Sequence, residues 1–304
     1  MGGTSGVSGS ASDPAAAGAD RPAAIPLRSP HPESLPGATV VVVGGSSGIG
    51  LAAARLLARL GARPVLVGRA AGRLQAAAAY LLGEAPAAEV RTYVSDVRDE
   101  DRLGALFDGL GAVDHVLVTA GGVTRGALTE TDRERVADSV EGRLWGGYAV
   151  ARVAAPRLAP GASITYLSGV YVVRPAPGGA AVIAAAAAVE GLAKALAVEL
   201  APRRIRVNAV RSGTVDTPML RRRLLPPRPP APGGHAPGGH VPDREDPARL
   251  GGAAGDAAVA AAGRGMPLGR YGTAEEVAAA VLFLMGNSYA TGAVLTVDGG
   301  QSLM

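Results

Sequence analysis

The sequence predicts an α/β protein, a single domain built on one doubly wound parallel sheet. Three observations predict it. Strand-like runs such as Thr39–Val43 are apolar without polar alternation, the pattern of strands buried on both faces. Helical segments alternate with these runs along most of the chain, as the crossovers of a parallel sheet require. A glycine-rich turn follows the first strand and opens the first helix.

The elements are expected in this order. Residues 1–36 hold little besides Gly, Ser, Ala and Pro, cannot bury enough apolar surface to offset ordering entropy, and read as a disordered tail. The domain then spans 37–304. Thr39–Val43 is the first strand, with a helix running to Leu60. Arg63–Val67 is the second strand, followed by a helix near Arg73–Leu82. Val90–Val94 and Asp99–Leu110 form the third pair. Asp114–Val118 precedes one long helix from about Asp132 to Leu158. Ser163–Leu167 precedes a helix over Gly179–Leu200, and Arg206–Val210 is the sixth strand. A Pro/Gly/Arg-rich insert at about 220–262 interrupts the rhythm, with a short helix at Asp256–Gly263 and an unstructured stretch near 226–241. A helix at Thr273–Leu284 and a strand at Val294–Val297 close the chain.

Composition narrows the function. The 304 residues are 48% hydrophobic, enough for one large core, and contain no cysteine, so thiolate catalysis and thiolate metal sites are excluded. His235 and His240 stand in a Gly/Pro stretch that reads either as a metal chelator or, better, as a linker; no metal site is expected. A net charge of +4 raises nucleic-acid binding. Lys194 is the sole lysine, however, the basic residues are scattered arginines apart from Arg221–Arg223, and aromatics are only 3%, which leaves few stacking platforms. No nucleic-acid partner is expected. The apolar runs are too short or too Ala-rich for a bilayer and no secretory leader precedes them, so a cytoplasmic protein with no membrane partner is expected.

The turn Val43-Gly-Gly-Ser-Ser-Gly-Ile-Gly50 carries the first chemistry. Glycines let the backbone turn sharply and approach a pyrophosphate, and the N-terminus of the following helix offers free N–H groups to it. Gly45, Ser46, Ser47, Gly48, Ile49 and Gly50 are therefore candidate cofactor contacts. The spacing Gly45-x-x-Gly48-x-Gly50 resembles the fingerprint of the short-chain dehydrogenase/reductase family, a Rossmann-type fold. Further matches follow in order: Ser95-Asp96-Val97, Leu117-Val-Thr-Ala-Gly121, Arg206-Val-Asn-Ala-Val210, Gly213-Thr-Val-Asp-Thr217-Pro-Met, Pro267-Leu-Gly-Arg270 and Val297-Asp-Gly-Gly300. The resemblance covers nearly all of 37–304. It implies an NAD(P)-dependent oxidoreductase acting on carbonyls or alcohols of a small-molecule substrate. It also places Asp96 and Val97 at the adenine, Ala120 and Gly121 beside the cofactor, and Thr217 near the nicotinamide. At the end of the second strand, where an acidic residue would bind a ribose 2′-hydroxyl, stands Gly68-Arg69. Gly68 removes the carboxylate and Arg69 can pair with a phosphate, with Ser46 or Ser47 adding a hydroxyl; NADP is expected over NAD.

The family's proton-relay residues are an asparagine, a serine, a tyrosine and a lysine. Alignment by the surrounding text puts these positions at Arg143, Gly169, Val182 and Ala186, so all four are replaced. No tyrosine anywhere in the chain has a lysine four residues on. Lys194 lies eight residues past Ala186, about 12 Å along a helix and about 80° around it, out of reach of the same spot. Ser168 and Tyr171, just after the fifth strand, are candidate proton donors. Their alternative roles are a strand-end cap and loop packing. Arg143 reads either as an anion binder facing the pocket or as a partner of Glu141 or Asp138. Two functions stay open: a redox enzyme with an atypical site, or a cofactor-binding protein without redox chemistry. The two long Ala-rich helices predict a homo-oligomer, since an Ala-rich face left in water is an exposed apolar patch.

Overall fold

The computed structural model describes residues 1–2, 34–225 and 252–304. Strands β1 (Thr39–Val43), β2 (Arg63–Gly68), β3 (Arg91–Val94), β4 (Val113–Val118), β5 (Leu158–Gly169) and β6 (Arg206–Ser212) share one sheet with the closing strand Val294–Val297. The order is β3-β2-β1-β4-β5-β6 and then that closing strand, every pair parallel. The order reverses between β1 and β4. Helices follow as α1 (Gly48–Arg59), α2 (Ala71–Glu84), α3 (Glu100–Leu110), α4 (Arg133–Val140), α5 (Gly146–Ala154) and α6 (Ala180–Leu200). Next come α7 (Pro218–Leu224), α8 (Ala253–Gly263) and α9 (Ala274–Gly286). A two-stranded ribbon pairs β7 (Val215–Asp216) with β8 (Gly272–Thr273), and the closing strand Val294–Val297 is β9.

Alternate side chains of one strand point to opposite faces, and β1 divides the core accordingly. Val41 and Val43 join Leu103, Phe107, Val150, Val189 and Leu196 under α3, α5 and α6. Val40 and Val42 join Leu57, Leu74, Val277 and Val281 under α1, α2 and α9. Side-chain caps stop the helices at their N-termini: Asp99 accepts from Arg102 N, Asp132 from Arg135 N, and Thr273 with Glu276 forms a capping box. α6, with its extension to Arg203, is long and apolar enough to cross a membrane by length and composition. Here Val182, Val189, Ala193 and Leu196 bury one of its faces in the domain.

The structure departs from the sequence reading in four places. The expected tail and unstructured stretch fall mostly outside the described residues, as do His235 and His240; yet Leu35, inside the expected tail, is fully buried in the α1 layer, so the domain starts before Gly37. β5 begins at Leu158 rather than Ser163, because Leu158 already pairs beside Val113. The insert contributes α7 and a longer α8 than expected. The predicted single helix over 132–158 is three pieces, with a π-helical turn at Glu141–Trp145 between α4 and α5. Glycines explain the break, since they resist helix weakly and pack closely. A Cβ on Gly142 would lie 3.1 Å from Gly122 N and one on Gly147 3.2 Å from Tyr166, while Gly146 backs onto Val97.

Candidate active site

Ligands of open α/β sheets sit at the carboxyl ends of the strands, where the strand order reverses. Here that is the space above β1 and β4. Gly44, in the left-handed region at φ 89°, turns the chain directly against β4. A Cβ on it would strike the Thr119 hydroxyl and lie 2.9 Å from Ala120 N. A Cβ on Gly50 would lie 2.8 Å from the same hydroxyl. Thr119 in turn donates to the carbonyls of Val43 and Gly44. Gly45 is equally confined, 2.9 Å from Val42 O. Gly48, at φ 53°, faces Thr217, whose methyl would lie 3.5 Å from a Cβ there. Ser47 is the extended N-cap of α1 and its side chain bonds none of the helix's N–H groups, which leaves them to an anion. Ile49 opens the helix. These residues fit a dinucleotide pyrophosphate: backbone replaces side chain wherever the ligand must come close.

At the end of β2, a Cβ on Gly68 would sit 3.7 Å from Ser46 Oγ, so Ser46 and Gly68 border one surface, with Arg69 exposed beside it. Asp96 is already engaged. Its Oδ1 accepts from Arg98 N and Nε, and Oδ2 from Nη2, each at 3.0 Å. Bonding to Arg98 holds its carboxyl below the usual range against the opposing effect of burial. The carboxylate expected at the adenine is thus clamped by Arg98, which also reaches Glu141 at 3.5 Å. Val97 packs under Gly146 instead of standing free.

The four aligned relay positions cluster around the ends of β5 and α6. Val182 and Ala186 are buried apolar residues on α6, and a Cβ on Gly169 would meet open space. Arg143, on the π turn, lays its stem over Gly121 and donates Nε–H to Gly122 O at 3.1 Å. It forms no ion pair with Glu141 or Asp138: Glu141 faces Arg98, and Asp138 lies against Gly122. Burial lowers its pKa.

Ser168, a candidate proton donor, is committed to another partner. It is 3% exposed, and its hydroxyl donates to Glu190 Oε1 at 2.7 Å. Glu190 also accepts from Arg211 Nε at 2.8 Å and Nη2 at 2.5 Å. This buried network pins α6 to β5 and β6. Tyr171 stands differently. Its hydroxyl bonds the side chains of Thr214 and Arg223, and the Arg125 guanidinium lies 4.9 Å above its ring. Burial raises the phenol's pKa, but the bond from Thr214 and the charges of Arg125 and Arg223 outweigh it and leave it below the ordinary value. Tyr166 is spent on packing, its hydroxyl donating to Gly147 O.

Sequence reasoning missed Thr119, Arg125, Thr214 and Arg223. Thr119 and Thr214 lie inside matched motifs and Arg223 in the one basic run, but nothing local gives any of the four its role, because each acquires its partner from a distant segment. Glu190 had a signal that went unread: it is a carboxylate set between apolar residues in the middle of α6, and of the helix's two carboxylates it is the buried one.

The comparisons agree on one family. The family described as enoyl-(acyl carrier protein) reductase matches residues 43–227 and 247–302. A short-chain dehydrogenase/reductase, ATR9 of Stachybotrys chlorohalonatus, is 31% identical over 88% of this chain and 98% of its own length. Galactitol 2-dehydrogenase (L-tagatose-forming) of Cereibacter sphaeroides is 36% identical over 88% of this chain and 96% of its own. Among solved structures, the NADPH-bound short-chain oxidoreductase of Pseudomonas aeruginosa PAO1, described as containing an atypical catalytic center, superposes with a TM-score of 0.73. It is 30% identical, over 86% of this chain and 96% of that one.

Proposed function

The chain belongs to the short-chain dehydrogenase/reductase family of NAD(P)-dependent oxidoreductases, and from that premise we propose that it is an NADP-dependent carbonyl reductase whose proton donor is Tyr171. When bound, the cofactor supplies the hydride. The chain's part is to hold that cofactor and to manage one proton. Gly44, Gly45, Gly48 and Gly50 receive the pyrophosphate, and Thr217 closes over Gly48. Gly68, Arg69 and Ser46 favour a 2′-phosphate over a free 2′-hydroxyl by supplying a cation and a hydroxyl and no carboxylate.

The family's acid and its tuning lysine have no counterpart at the aligned positions, since Val182 and Ala186 are apolar and buried. Lys194 is exposed further along α6. The observation that carries the proposal is Tyr171, two residues beyond Gly169. There a phenol stands at the carboxyl end of β5 between a hydroxyl donor and two cations. The family's lysine lowers a tyrosine's pKa by its charge; Arg125 and Arg223 do so here. A phenol so tuned donates more readily to a developing alkoxide than an ordinary one.

NADPH oxidation with a panel of activated ketones tests the reading. Tyr171→Phe should lose about two to four orders of magnitude in turnover, with NADPH affinity unchanged. Unaltered turnover in that variant would refute Tyr171. Tight NADPH binding with no oxidation by any carbonyl would instead support a cofactor-binding protein without redox chemistry.

A further inference from the structure

The cations around Tyr171 are placed for more than tuning a phenol. Arg55, Arg98, Arg157, Arg211, Arg221 and Arg270 each pair with a carboxylate. Among the described residues Arg125, Arg143 and Arg223 have no such ion pair, and all three belong to segments that meet at the carboxyl ends of β4 and β5. Arg125 Nη2 is buried with no hydrogen-bond partner. A buried donor without an acceptor costs free energy, and the cost is larger for a charged group. The guanidinium carbon lies 4.9 Å over the Tyr171 ring, a cation–π contact that holds the group in place without supplying an acceptor to its N–H groups. Its N–H edge remains for an acceptor, and a guanidinium edge matches a carboxylate bidentately. Arg223 meets the same ring at the hydroxyl end, and Arg143 adds a third charge from Gly121 and Gly122 of the loop that carries Arg125. Several cations at one cleft, none of them ion-paired among the described residues, attract an anion.

We propose that Arg125 and Arg223 form a carboxylate subsite beside Tyr171, so that the substrate is a carbonyl compound bearing an anionic group. The proposal rests on the reductase reading for the word substrate, but the subsite is testable without turnover. The probes are 3-oxohexanoate and its methyl ester, which share the ketone and differ in charge. Isothermal titration into the full chain loaded with NADP⁺ reads binding alone, because the oxidised cofactor has no hydride to give. The acid should bind at least tenfold tighter than the ester. Arg125→Gln, which keeps the stem over Tyr171, should remove that preference and leave ester and NADP⁺ affinities unchanged. Arg125→Lys should retain part of it, and Arg223→Gln should weaken the acid several-fold.

Equal binding of acid and ester, or binding of neither, would overturn the subsite. So would a loss of NADP⁺ affinity in Arg125→Gln, which would assign Arg125 to the cofactor. The two proposals fail separately. Selective binding of the acid without NADPH oxidation leaves the subsite and sinks the reductase; oxidation of NADPH by both probes with equal affinity does the reverse.

Discussion

Gly68→Asp should move the protein from NADPH toward NADH. A Cβ at Gly68 meets nothing closer than Leu74 at 3.6 Å and Ser46 Oγ at 3.7 Å, ordinary contacts. The backbone there is a β-strand, so a side chain is accommodated without strain. The new carboxylate would face the 2′-phosphate and pull Arg69 toward itself. Two like charges about 4 Å apart repel by about 1 kcal/mol in water and about 4 kcal/mol at an effective dielectric of 20. Arg69 is exposed, so the lower figure applies. Loss of the charged hydrogen bonds from Arg69 adds about 1–3 kcal/mol. The sum, about 2–4 kcal/mol, corresponds to roughly 30- to 1,000-fold weaker NADPH binding. NADH should bind more tightly than to the wild type, because the carboxylate accepts from the ribose 2′-hydroxyl. Fluorescence titration of both reduced cofactors measures this directly. NADPH affinity within twofold of the wild type, with an unchanged melting temperature, would refute the placement of the 2′-phosphate.

Four further outcomes are expected. Glu190→Ala leaves a partly buried guanidinium and the buried Ser168 hydroxyl without their acceptor; it should cost about 2–3 kcal/mol in urea unfolding, and a loss under about 1 kcal/mol would show the network to be incidental. His115 is buried against Ser163, and burial, with the Arg206 charge, holds its pKa at about 4 against an ordinary 6.5. The unfolded chain takes up that proton first, so stability should fall as pH drops from 6.5 toward about 4, and the difference between wild type and His115→Asn should follow this window; a flat difference would contradict it. Reduction needs Tyr171 protonated, so kcat should decline with rising pH through a value below the ordinary tyrosine 10.0; survival of that limb in Tyr171→Phe would reassign it. We propose a homo-oligomer, since α6 exposes Ala184, Ala187, Gly191 and Val198, and the stacked Trp145 and Tyr148 are exposed on the π turn and α5. Light scattering at micromolar concentration should give a multiple of the monomer mass, and a monomer would exclude it.

What the sequence determined alone is what local chemistry decides. Continuous apolar runs made β1 and β2 recognisable, and their alternation with helices implied the parallel sheet, because both follow from how short segments bury themselves. The turn Gly44–Gly50 was legible for the same reason: Gly44 and Gly48 take positive φ, a conformation glycine adopts without strain. Val182 and Ala186 could also be read from spacing as neighbours on one helix, and both lie buried on α6. The tertiary structure decided every question of partnership. Ser168 reads as a free hydroxyl until Glu190, a full helical turn beyond Ala186, takes it, and Arg211 of the neighbouring strand fixes Glu190 in turn. Arg125 is an unremarked loop residue until β4 and β5 bring it over Tyr171. The π turn that lifts Arg143 onto Gly121 arises from close packing of Gly142 and Gly146 against Gly122 and Val97, which no helical periodicity records. A side chain's charge and shape are written locally, but its hydrogen bonds and its desolvation depend on segments that only the folded chain brings together.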